Sequence, residues 1–358
     1  MKIGIVGLAN SGKTTIFNAL TGQNMPTTIY YTTEAEPHLG IVKVPDERVE
    51  RLAEIYRPRK TTFATVEYLD YLGITRGDME QNRKVLDMIK DVDAILHVVR
   101  AFEDESVVHP LGNVDPLRDA ETLELELVLS DLDLVEKRLA RMEEARKRGK
   151  RPDEAEKAAL LKCKKALEEE KPLREITFTE GETLALRHLQ LISIKPEVVV
   201  LNLHEDDLAE EQHGELIRTF RERFNLPVIA LSGRIEMEIA QLDATEAEEF
   251  LKGYGLQEPA MHRLIRLCYE HLGLISFLTV GSDEVRAWTI RKGTTAHMAA
   301  GKIHSDIQRG FIRAEVISYE DFIKAGSMAE ARERGLLRLE GKDYIVQDGD
   351  IINFRFNV

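Results

Sequence analysis

Cysteine is nearly absent: Cys163 and Cys268 are the two the chain carries in 358 residues. So few thiols, set so far apart, supply neither a disulfide framework nor a metal cluster. Both lie among helix-forming residues, where a buried thiol is expected. Long apolar runs are also missing. None approaches the roughly 18 residues of a membrane span, so no membrane partner is expected. The apolar stretch of Met1–Gly7 is too short for a secretory signal, which points to a cytoplasmic protein. Positive net charge is lacking as well. With 49 Lys and Arg against 63 Asp and Glu, the formal net charge is −14. Attraction of the whole chain to nucleic acid is excluded, no DNA partner is expected, and any RNA contact must use a local basic patch. What remains is an ordinary globular mixture, 43% hydrophobic and 31% charged, long enough for two to three domains.

The chemistry is concentrated at the start. Lys2–Val6 reads as a short buried strand. Gly7-Leu8-Ala9-Asn10-Ser11-Gly12-Lys13-Thr14 follows and fits G-x-x-x-x-G-K-[ST], with a helix opening at Thr15. Glycines let the backbone turn its N–H groups toward phosphate oxygens, and the helix N-terminus adds partial positive charge. Asn10, Ser11, Gly12, Lys13, Thr14 and Thr15 are the expected phosphate contacts. Lys13 should reach the β- and γ-phosphates, and the Thr14 hydroxyl should ligate Mg²⁺. Thr65–Leu69 alternates like a strand and runs into Asp70-Tyr71-Leu72-Gly73, a D-x-x-G. Asp70 is expected to hold Mg²⁺ through water, and the Gly73 N–H to sense the γ-phosphate. Ala94–Arg100, Glu197–Leu201 and Pro227–Leu231 read as further buried strands. Apolar strands alternating with helices indicate an α/β fold with a mostly parallel sheet, whose ligands bind at the strands' carboxyl ends.

The base is addressed after the strand at Glu197–Leu201. Guanine-binding proteins carry N-K-x-D there, whereas this chain has Asn202-Leu203-His204-Glu205. The lysine is gone and the acid is one methylene longer, so the buried pair that selects guanine is lost. ATP is the expected nucleotide and GTP the alternative. A polar side chain or backbone carbonyl near Asn202–Glu205 could accept from the adenine amino group.

N-x-x-E in such a domain resembles the YchF/Obg-like ATPase family of TRAFAC-class P-loop proteins. The likeness extends through His97–Asp104, Asn113–Asp119, Arg286–Ile290, Gly310–Val316 and Glu340–Asp350. The resemblance implies a P-loop NTPase G domain (1–120 and 194–274), an inserted antiparallel helical coiled-coil hairpin (121–193) and a C-terminal β-grasp TGS domain (275–358). It implies base contacts from Asn202, Leu203 and Ser232, with Glu205 and Gly233 completing the base end. It also implies ATP hydrolysis coupled to ribosome or rRNA binding, in the regulation of translation or a stress response. Ile74 stands where other family classes place a water-orienting glutamine, and an aliphatic side chain cannot align water. His109 matches the histidine that could act instead; the alternative is a solvated loop histidine. Switch I departs from the family: Glu34 replaces its threonine, and Thr33 is the candidate metal ligand beside it. Switch II, Ile74–Glu80, is shortened. Asn10 occupies the place of an asparagine that binds K⁺ in some potassium-activated relatives, or it only braces the loop. Two rivals stay open: a nucleotide-gated RNA-binding scaffold with negligible turnover, and an Obg-type GTPase.

Within the insertion, Leu125, Val128, Leu132, Val135, Leu139 and Met142 alternate spacings of three and four, a heptad seam. Gly149 and Pro152 break it, Asp153 can cap the return, and Ala159, Cys163 and Ala166 or Leu167 face the seam. The tip, Arg146-Lys147-Arg148-Gly149-Lys150-Arg151, suits a phosphate backbone. Toward the end, Asp348-Gly349-Asp350 is expected to turn a hairpin between Tyr344–Val346 and Ile351–Phe356. His297, Lys302 and His304 lack the companions a zinc site needs.

Overall fold

A computed structural model describes residues 1–27, 36–75, 78–149, 151, 153–208 and 210–357. The strands are β1 Lys2–Val6, β2 His38–Lys43, β3 Lys60–Thr62, β4 Thr65–Asp70, β5 Ala94–Ala101 and β6 Glu197–Leu203. They continue with β7 Val228–Leu231, β8 Leu274–Thr279, β9 Glu284–Arg291, β10 Phe311–Ser318, β11 Arg338–Glu340 and β12 Asp350–Phe356. The chain divides into two compact units, Met1–Ile41 with Glu67–Met261, and Val42–Val66 with His262–Val358.

The first unit is built on a sheet of order β2-β4-β1-β5-β6-β7. The pairs β4–β1, β1–β5, β5–β6 and β6–β7 are parallel. Every residue of β6 is buried, as expected of a largely apolar strand covered on both faces. The carboxyl ends of β1, β4, β5 and β6 therefore meet at one edge, where the motifs lie.

The helical hairpin starts earlier than its heptad seam suggests. Its first helix runs Pro116–Lys147, with Pro116 in the first turn and the Asp115 carboxylate accepting from the Arg118 amide. The return helix, Glu154–Glu168, is capped by Asp153, which accepts from the Ala155 and Glu156 amides. Val128, Val135 and Met142 pack with Ala159, Leu160, Cys163, Ala166 and Leu167. Leu125 departs from the seam and is exposed. Across the hairpin the Arg138 guanidinium donates to both Glu156 oxygens at 2.7 and 2.9 Å. Burial pushes the Cys163 thiol up to about 12, so it stays protonated and serves as packing.

In the second unit the sheet order is β11-β10-β12-β8-β9-β3. β8–β9, β10–β12 and β10–β11 are antiparallel, and β12–β8 is parallel. The helix Ala296–Ile303 lays Ala296, Ala299 and Ala300 on a core with Phe277, Phe311 and Phe354. This is the β-grasp arrangement, with one addition. Residues 42–66, expected in the G domain, belong here: β3 extends the sheet beside β9, and Tyr56 stacks on Phe322 at 5.9 Å. Arg48 ties the segment down with a 2.7 Å bond to Asp348. The expected hairpin is not formed. Gly349 does turn the chain, at φ 80°, but β12 pairs with β10 and β8 rather than with 344–346. Instead Ile345 bridges Thr295, and the Asp350 carboxylate accepts from the Tyr344 hydroxyl and the Gln347 amide. His304 caps a short helix through the Asp306 amide, and His297 packs edge-on to Phe311. Among the described residues no helix is long and apolar enough to cross a membrane.

Candidate functional site

A cavity of about 530 Å³ opens at the carboxyl edge of the first unit's sheet. One end is the loop from β1 to the helix Lys13–Thr21. Gly12 takes a left-handed φ of 91° and ends against Asn202, whose Nδ2 would lie 2.2 Å from any Cβ placed there. Only glycine meets both demands. Gly73 crosses the same loop so closely that a Cβ would sit 2.5 Å from the Ala9 Cα. Two backbone bonds hold it there, Ala9 N–H to the Ile74 carbonyl and Ile74 N–H to the Gly7 carbonyl, each 3.0 Å.

Lys13 is buried, and its Nζ donates to the Leu8 carbonyl at 2.8 Å. Burial lowers its pKa to about 8, against the pull of Asp70. A cation kept so nearly dry is poised for a polyanion. The Thr14 hydroxyl donates to Asp70 Oδ2 at 2.8 Å, and His38 Nδ1 stands 3.8 Å from the same oxygen. Asp70 Oδ1 is buried without a hydrogen-bond partner. Burial raises the Asp70 pKa, opposed by Lys13 and the Thr14 hydroxyl. A hydroxyl beside an orphaned carboxylate oxygen fits a hard divalent cation. Thr14 and Asp70 would hold Mg²⁺, which would neutralise phosphate charge when bound. Thr33 and Glu34 lie outside the described residues; Glu36 and His38 line the cavity.

At the opposite end, Leu203, Glu205 and Ser232 line the wall with His204, Arg234 and Met237. Asn202 has a part beyond the base contact expected of it. Its Nδ2 donates to the Ser11 carbonyl at 3.0 Å, and its Oδ1 accepts from the Gly233 amide at 2.9 Å. Each end of the amide makes one bond, so Asn202 braces the two loops, and with a second Nδ2 hydrogen to spare it still lines the cavity. Thr15 lines the phosphate end. Ser11 is buried and lines the small void behind the phosphate loop.

Ile74 and His109 both stand outside the cavity lining. Ile74 does not face the cavity; it is buried with Val6, Leu8 and Val85. His109 is neither solvated nor in the cavity. It is 7% exposed and lines a small void behind the phosphate loop with His97 and Asp119. Its Nδ1 accepts from the Leu111 amide, and its Nε2 lies 2.8 Å from Asp119 Oδ2. That pairing makes Nε2 the protonated nitrogen. The Asn10 amide donates to the neighbouring Val108 carbonyl at 2.9 Å, and Asn10 takes φ 62°, a conformation asparagine tolerates.

Other groups were not visible in the motifs. Arg100, at the end of β5, donates to the carbonyls of Phe102, Asp104 and Val107 and lies 4.5 Å over the Phe102 ring. It knits the loop that puts Phe102 and Val107 into the cavity wall. The available signal was a charge ending an otherwise apolar strand. Gln81 also lines the cavity.

The chain is similar over its whole length to proteins named ribosome-binding ATPase YchF. It is 45% identical over 361 residues to that of Bacillus subtilis (strain 168), covering 99% of each chain. It is 41% identical over 360 residues to that of Escherichia coli O157:H7, covering 100% of this chain and 99% of the relative. The solved structure of the Schizosaccharomyces pombe YchF GTPase superposes with a TM-score of 0.84 at 31% identity, over 99% of this chain and 97% of that one. Residues 2–131 match the family model described as 50S ribosome-binding GTPase. Residues 274–357 match the YchF GTPase C-terminal model, described as a protein of unknown function.

Proposed function

From the premise that the chain belongs to the YchF family, we propose that it is a ribosome-associated switch that hydrolyses ATP to ADP and phosphate in preference to GTP. The observation that carries the ATP reading is the base end of the cavity. Asn202 braces the two flanking loops, Leu203 is apolar, and Glu205 lies 3.6 Å from Arg234. Leu203 and Glu205 stand where the guanine-reading motif carries its lysine and its aspartate. Labelled ATP should therefore be displaced by unlabelled ATP at least as well as by GTP. A GTP preference of about tenfold, or about 1.4 kcal/mol, would contradict the assignment. Mg²⁺ is the proposed metal, at Thr14 and Asp70. K⁺ beside Asn10 would speed turnover relative to Na⁺ at matched ionic strength, and equal rates would remove it.

The ribosome reading is supported by charge placement. The second unit holds 20 Lys and Arg against 17 Asp and Glu, in a chain of net charge −14. The hairpin tip adds exposed Arg146 and Arg148, only loosely paired with Glu143 and Glu144 at 3.6 and 3.8 Å; Lys150 lies outside the described residues. Replacing Arg146, Lys147, Arg148 and Arg151 by Ala should leave basal turnover intact. Co-sedimentation with ribosomes should weaken and depend less steeply on salt, by up to about 0.7–0.9 in log–log slope per lost phosphate contact. Unchanged binding would take the tip out of the interface.

A further inference from the structure

We propose that the second unit takes an extended peptide of a protein partner, apolar at alternate positions and acidic between them, as an added strand along β12. The sheet leaves an edge for one. β8 pairs with β12 at Leu278 and Ile351 and ends one residue later, at Thr279, whereas β12 runs on to Phe356. Among the described residues no strand lies beside that last stretch of β12 on the β8 side. Alternate residues there turn an amide and a carbonyl outward, and such an edge pairs with an extended chain that reaches it.

A cavity of about 420 Å³ opens at the same place, bounded by Thr279 and Val280 where β8 gives out. Side chains from both faces of β12 line it, as a slot beside a strand requires, since successive side chains point to opposite faces. On one face Ile352 and Phe354 belong to the core, with Ile303 and Ile307 packed against it. The apolar side chains of an added strand would lie there. On the other face the lining turns polar, with Glu315, Arg332 and Asn353. The Glu315 carboxylate accepts from the Asn353 amide at 2.9 Å and from the Arg355 guanidinium. The Arg355 bond holds that carboxyl below the usual carboxylate range, so it is an anion at neutral pH. Arg332 brings a second cation to 3.7 Å from the same oxygen, with its side chain 66% exposed. Two cations share one anion, and the excess positive charge at the slot matches an acidic side chain on the incoming strand. Backbone pairing would supply affinity, and the two unlike faces would supply the preference for an apolar–acidic alternation.

The probe is a fluorescein-labelled octapeptide alternating valine with glutamate, titrated against the full chain by anisotropy. Wild type should bind it saturably, and a fully N-methylated version should bind at least about tenfold more weakly. Arg332→Glu should weaken binding of the valine–glutamate peptide about tenfold or more, and should bind a valine–lysine octapeptide better than wild type does. A disturbed fold would lower both affinities and would not reverse the preference. With the valine–glutamate peptide present, the backbone amides of residues 353–356 should gain protection from hydrogen exchange. Absence of saturable binding, indifference to N-methylation, or a charge preference that Arg332→Glu leaves unchanged overturns the proposal. So does equal protection of residues 353–356 by sodium decanoate, which would make the cavity a site for free amphiphiles rather than for a strand.

Discussion

Lys13→Ala should abolish tight triphosphate binding. The Nζ of Lys13 now satisfies only the Leu8 carbonyl at 2.8 Å, in a site dry enough to lower its pKa to about 8. A charge-assisted contact to phosphate in such surroundings is among the stronger polar interactions. Its loss should cost at least about 2.7 kcal/mol, or about 10²-fold in affinity. The pH dependence carries the same signature. In the free protein Lys13 is charged below about 8 and neutral above it. A bound polyphosphate favours the ammonium, so above that pH binding must take up a proton. ATP affinity should then decline by up to about tenfold per pH unit, until the pKa of the complex is reached. The folding sign is opposite. A lysine whose folded pKa lies below its unfolded value weakens the free protein at low pH, and that penalty fades as pH rises through 8 toward 10.5. Calorimetry of wild type and Lys13→Ala from pH 7 to 9.5 checks both. Equal ATP affinity, or a wild-type profile flat across 8, would place the phosphates elsewhere.

How much of this was legible depends on how local the cause is. The phosphate loop and strands β1, β4, β5 and β6 were visible because glycine spacing and unbroken apolar runs are properties of neighbouring residues. The hairpin was legible for the same reason, since its seam repeats within single helices, although Leu125 at its start is exposed. Residues 42–66 were assigned by chain order, and nothing local tells three residues such as Lys60–Thr62 that β9 will be their neighbour. The strand-like Tyr344–Val346 lost its expected partner to β10, whose seven-pair ladder with β12 lies far upstream. At the site, residue types were readable and their orientations were not. Ile74 could be seen to lack hydrogen-bonding groups, but not to point into the core. His109 could be named, but its partner Asp119 was read only as part of a helix start. Gln81 belongs to no motif, and it lines the cavity from the first turn of the helix Met79–Ile89.

Asn202→Leu should weaken every nucleotide alike. The isosteric replacement removes one donor and one acceptor at a buried position, leaving the Ser11 carbonyl and the Gly233 amide without the bonds at 3.0 and 2.9 Å. Each orphaned backbone group costs about 1–3 kcal/mol. Part of that cost is avoided if the two loops move apart toward water. Such movement would disturb the phosphate loop through Ser11 and the base wall through Ser232–Gly233 together. ATP, ADP and GTP affinities should therefore fall by similar factors, about 10- to 100-fold, with the ATP-to-GTP ratio unchanged within about threefold. A residue that read the base directly would give another pattern, changing the ratio while sparing the common phosphate contribution. The helix Lys13–Thr21 opens immediately after Gly12, which packs against Asn202, so the variant should also melt at a lower temperature without nucleotide. Titration of the three nucleotides by one fluorescence assay decides the matter. A selective loss of ATP binding, with GTP retained, would turn Asn202 from a brace back into a base contact.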